Sequence, residues 1–108
     1  MAGSARIVNT PSQAIPQFGA SHTQRTISNS AVSVIDHTLN ADTTHVLVQF
    51  TGANCRVTFD GSNPTDTRGF IYLDGATAYW TRKLAQSAKG IRDDGTDVVC
   101  EIQELNYL

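Results

Sequence analysis

The side chains in this chain with the widest chemical repertoire are few: His22, His37 and His45, Cys55 and Cys100, and the glutamates Glu101 and Glu104. Zinc chemistry asks for His or Cys ligands at short fixed spacings. No pair of these histidines stands at i and i+4, and the two cysteines are 45 positions apart. Acyl transfer asks for a presented nucleophile, and no Gly-x-Ser-x-Gly elbow occurs. Glycoside hydrolysis asks for two carboxylic acids on opposite sides of a cleft, whereas the only glutamates lie three apart near the C-terminus. The glycines are dispersed among turns and build no phosphate cradle. The sequence therefore predicts no catalytic residues, no cofactor and no metal.

Two weaker patterns point to ligands. Asp60, Asp66, Asp74, Asp93, Asp94 and Asp97 could supply oxygens to calcium, but aspartate is also a turn former, and turn formation accounts for these positions more simply. Tyr72, Tyr79 and Trp80 could stack on a sugar. Tyr79 and Trp80 are consecutive in a strand and must point to opposite faces, so core packing or a subunit contact is the preferred reading.

The elements that carry these residues are strands. Thr, Val and Ile together number 28, whereas Lys and Glu number two each, a balance that suits pleated surfaces and excludes an all-helical fold. The net charge of −2 with scattered arginines does not favour nucleic acid. No apolar run approaches the ~20 residues that cross a bilayer, and the first residues lack a signal-peptide core, so no membrane partner is expected.

Residues 1–24 read as an extended N-terminal arm. They hold Pro11, Pro16 and one charged side chain, Arg6, and their apolar residues Ile7, Val8, Ile15 and Phe18 fit no period. These four are the candidate assembly contacts, through which the arm would dock on a neighbouring subunit. Residues 25–108 read as one β domain. Thr26–Ser28 and Ala31–Ile35 are early strands. His45–Phe50 sets Val46, Val48 and Phe50 on one face, and Cys55–Phe59 sets Cys55, Val57 and Phe59 on one face, the two predicted to form a hairpin through Thr51–Asn54. Phe70–Leu73 and Thr77–Leu84 are predicted as a second hairpin across Asp74-Gly75. Ala85–Lys89 is a candidate for one helical turn, and Asp97–Leu105 closes the domain with Val98, Cys100 and Ile102 inward. With Trp80, these inward residues form the candidate core, its cysteines reduced. Seven or eight short strands with frequent turns predict an all-β fold, an antiparallel sandwich of immunoglobulin-like or jelly-roll-like form.

Phe59-Asp60-Gly61-Ser62-Asn63-Pro64-Thr65 resembles a corner recurring in immunoglobulin-like domains, among them the accessory domains of chitobiase-type glycosidases. Asp60, Gly61, Pro64 and Thr65 are its structural residues, Asp60-Gly61 turning the chain and Pro64 stiffening the exit. Four pieces together, Thr26–Val32, Cys55–Thr65, Gly69 and Ala88–Arg92, resemble small virion proteins encoded among the structural genes of tailed bacteriophages. The chain departs from that pattern at Gly90, where a bulkier residue is commoner, and adds Asp93-Asp94. The resemblance implies a β-sandwich that decorates or cements a capsid through symmetric subunit contacts, or sits at the neck or tail. Its partners would be the major capsid protein or other virion proteins and further copies of itself, as in a trimer, and its location the virion, assembled in the bacterial cytoplasm. A carbohydrate-binding accessory module is the rival reading.

Overall fold

The computed structural model describes residues 16–107, with side chains from 21 to 106. The described residues form β1 (Pro16–Ile27), β2 (Val32–Ser33), β3 (His45–Thr51), β4 (Cys55–Thr58), β5 (Phe70–Tyr72), β6 (Thr77–Thr81), α1 (Arg82–Ser87), β7 (Lys89–Arg92) and β8 (Val98–Tyr107). One sheet has the order β1-β8-β3-β6 and the other β2-β7-β4-β5, with every pairing antiparallel. This is the all-β sandwich that the composition and turn spacing predict.

Alternation fills the space between the sheets. Val46, Val48 and Phe50 from β3, and Val98, Cys100 and Ile102 from β8, meet Cys55 and Val57 from β4, and all are buried. Trp80 is 4% exposed and packs edge-on to Phe50, Phe59 and Tyr72. Phe59 is half-buried against this core rather than inside it.

The boundary drawn after residue 24 needs correction. β1 starts at Pro16 and pairs with β8 over its length, with a register shift between Phe18 and His22. Residues 16–24 therefore belong to the first sheet. A strand on an edge needs ladder partners on one side only, and β8 supplies them, so no strong apolar period was required of this segment. Phe18 stands opposite Leu105 in that ladder. Ile7, Val8 and Ile15 lie outside the described residues.

Both predicted hairpins are also corrected. β3 lies in the first sheet and β4 in the second, while β5 lies in the second and β6 in the first. Thr51–Asn54 and Leu73–Ala76 are arches that carry the chain across the core. They brace each other: Gly52 N–H donates to Asp74 Oδ1 at 2.9 Å, and Asp74 N–H donates to Asn54 Oδ1 at 2.9 Å. Gly52 and Gly75 take positive φ, +91° and +89°, which bends each arch without a Cβ penalty. Arching sets consecutive apolar faces against each other across the interlayer, as in the edge contact of Tyr72 with Trp80, ring centroids 6.0 Å apart.

Thr77–Leu84 is not one strand, because α1 begins at Arg82. Thr81 caps it by accepting a hydrogen bond from Leu84 N–H at 3.3 Å. Arg82 thereby leaves the Trp80 strand, and its guanidinium donates to the carbonyls of Asn40 and Thr43 at 2.7 and 2.9 Å.

Candidate assembly surface

The corner after β4 is built from local bonds. Asp60 Oδ1 accepts from Ser62 N–H at 3.1 Å and from Ser62 Oγ–H at 2.5 Å, and these bonds hold the Asp60 carboxyl below its ordinary range. Gly61 has φ +88°, Pro64 is buried, and Thr65 exchanges backbone bonds with Arg68. Lys89, on β7, donates to the Gly61 carbonyl and to Asn63 Oδ1. The loop is thus pinned at its base, and it delivers the chain to β5.

Among the described strands β5 is the outer one of the second sheet, with β4 on one side only. Phe70 is 69% exposed, Ile71 48% and Leu73 60%. Gly69 makes this strand possible: at φ +120°, a Cβ there would stand 3.1 Å from the backbone N and O of Val57. Phe59, Asp60, Arg68 and Phe70 line a shallow groove beside the strand, Phe59 and Phe70 having ring centroids 6.1 Å apart. Three large apolar residues thus stand exposed within four positions at this sheet edge.

The histidines and glutamates lie elsewhere. On the outer face of the first sheet, His22 Nε2–H donates to Glu101 Oε1 at 2.8 Å and Nδ1–H donates to Gln103 Oε1 at 3.1 Å. Gln103 Nε2 donates to the carbonyls of Ser21 and Glu104, which fixes its amide oxygen toward His22. With acceptors at both ring nitrogens, led by Glu101, the imidazolium is favoured and the His22 pKa is raised, while the same hydrogen bond, together with one from Gln24, lowers that of Glu101.

Glu104 is 1% exposed, the residue that sequence reasoning missed. Its Oε1 accepts from Asn40 N–H at 2.8 Å and Thr43 Oγ–H at 2.5 Å, and Oε2 lies 3.3 Å from His37 Nε2. Burial pushes this carboxyl up, and the bonds from Thr43, Asn40 and His37 outweigh it, so that the pKa is lowered. The available signal was phase, since Glu104 continues the alternation of Val98, Cys100 and Ile102. Here the carboxylate fastens the loop between β2 and β3.

Among the described residues no group of three or more His, Cys, Asp or Glu side chains could hold a metal ion. Cys55 and Cys100 are buried free thiols on facing sheets. The aromatic trio does not make a surface platform: Trp80 is in the core, donating through Nε1 to Tyr72 OH at 3.4 Å, and Tyr79 points to the opposite face, where it stacks on His45 at 5.0 Å. Comparison with family profiles, curated proteins and solved structures finds no match.

Proposed function

We propose that this chain is a structural protein of a bacteriophage virion, a capsid decoration or cement protein that stabilises the shell through symmetric subunit contacts. Attachment at the neck or tail is the alternative position on the particle. The observation that carries the reading is the exposed apolar edge of β5, Phe70, Ile71 and Leu73, on a sandwich whose aromatic cluster is otherwise spent on its own core. A module repeated on a lattice needs a firm fold and an adhesive edge, because symmetry multiplies a weak contact. Residues 1–15, with Ile7, Val8 and Ile15, are the proposed contact with the major capsid protein or another virion protein. The resemblance of Thr26–Val32, Cys55–Thr65, Gly69 and Ala88–Arg92 to phage structural proteins supports a phage particle as the place of assembly.

The test is co-sedimentation of the purified chain with expanded, undecorated capsids of its source phage. Saturable binding that deletion of residues 1–15 weakens is the expected result. A chain that stays in the supernatant at every concentration, with neck and tail fractions also bare, overturns the proposal.

A further inference from the structure

Among the described residues the outer side of β5 has no ladder partner, because β5 ends the order β2-β7-β4-β5. Natural sandwiches blunt such an edge with lysine, proline or a bulge, and Phe70-Ile71-Tyr72 contains no lysine or proline. We infer that the β5 edges of two copies of this chain pair antiparallel about a two-fold axis at Ile71, joining their second sheets into one. This rests on the reading of the chain as an assembly module and names the partner of its β5 surface.

Charge selects the occupant and the register. Arg68 and Asp74, both exposed and just outside the strand, each stand three positions from Ile71 in the sequence. With Ile71 opposite its own copy, Phe70 faces Tyr72 and Arg68 faces Asp74, each pairing occurring twice. Side chains directly opposite in such a ladder share a face: Phe70 and Tyr72 lie on the face of Val57 and Cys55, and Ile71 lies on that of Arg56. A slip to the next pairing in either direction separates Arg68 from Asp74 and sets Phe70 or Tyr72 against itself. Parallel pairing sets Arg68 beside Arg68. Residues 68 and 69 lie in a bend, with Gly69 at φ +120°, and Asp74 lies in a turn, so the contact depends on the length of the arginine side chain. Asp74 Oδ1 holds Gly52 N–H, which leaves Oδ2 for the incoming arginine.

Sedimentation equilibrium of the full chain tests this. A dimer is expected, with Ile71→Asp weakening association by at least about tenfold because like charges then meet on the axis. Circular dichroism checks that the variant remains folded. Arg68→Asp and Asp74→Arg chains should each be monomeric alone and dimerise when mixed, since both contacts become complementary only in the mixed pair. Ile71→Cys should form a disulfide-linked dimer under mild oxidation, as opposed residues in an antiparallel ladder lie within disulfide reach. A monomeric or trimeric wild-type chain, or an Ile71→Asp chain that still dimerises, overturns the inference. If the wild type is monomeric but Ile71→Asp loses capsid binding, β5 belongs to a capsid protein and the virion reading survives alone. If the chain dimerises as described yet binds no phage particle, the pairing stands and the virion reading fails.

Discussion

Gly90 and Ile27 approach so closely that a β-carbon on residue 90 would lie 2.9 Å from Ile27 Cδ1. Cys55 Sγ and Val34 Cγ2 would stand at 3.2 and 3.3 Å from the same point. Gly90 is therefore matched to its neighbours, and the space of a side chain is taken by the Ile27 methyl. Gly90→Ala should destabilise the fold by about 1–3 kcal/mol through overpacking, read from urea unfolding. Gly90→Ala with Ile27→Val should recover part of that loss.

Glu104→Ala should cost about 2–3 kcal/mol, because Asn40 N–H and Thr43 Oγ–H lose a charged acceptor inside the fold. Glu104→Gln retains an acceptor oxygen and should cost less. Amide exchange at Asn40 is the local readout, and it should accelerate in both variants. Because the Glu104 pKa is lowered from 4.5, its contribution is present above that value and is lost as pH falls through the folded value.

The His22–Glu101 pair gives a second pH signature. His22 is raised from 6.5, so its contribution is full below that value and fades as pH rises through the folded pKa. Glu101 is lowered from 4.5, so its share fades as pH falls through its own folded pKa. Wild type should therefore exceed His22→Gln in stability most between those limits. Urea midpoints compared over about pH 4–9 measure the difference, and equal profiles would refute it.

Burial pushes the Cys55 and Cys100 thiols up to about 12, with Cys55 adding to the effect on Cys100. Alkylation at pH 8 should leave both untouched in the folded protein and modify both in urea, as counted by intact mass.

Trp80→Ala should cost about 3–5 kcal/mol, since it empties the space that Phe50, Phe59 and Tyr72 share. Thermal unfolding measures it.

Period two made the faces legible. Val46, Val48 and Phe50, and Val98, Cys100 and Ile102, declare their side of the sheet in the sequence alone. Sheet membership was not legible at Gly52 or Gly75. A turn residue specifies that the chain bends, and the bend serves a hairpin or an arch equally; bonds between Asn54 and Asp74, distant in sequence, decide between them. β1 was hidden because its outward His22 and Gln24 are polar, and their complement, Glu101, lies at the other end of the chain. The β5 surface was hidden for the opposite reason. Phe70, Ile71 and Leu73 look like core residues, and exposure at an edge is a property of strand order.

The position of β8 governs when the protein can fold during synthesis. β8 lies between β1 and β3, yet it is translated after the other described strands. While it is inside the ribosome, β1 lacks its one ladder partner among the described strands and the apolar face of β3 lacks Val98, Cys100 and Ile102 beside it. The nascent chain must therefore carry an open sheet until Tyr107 emerges, a state prone to aggregation. Chains that terminate before Val98 should be cleared by proteases rather than accumulate as partial sandwiches.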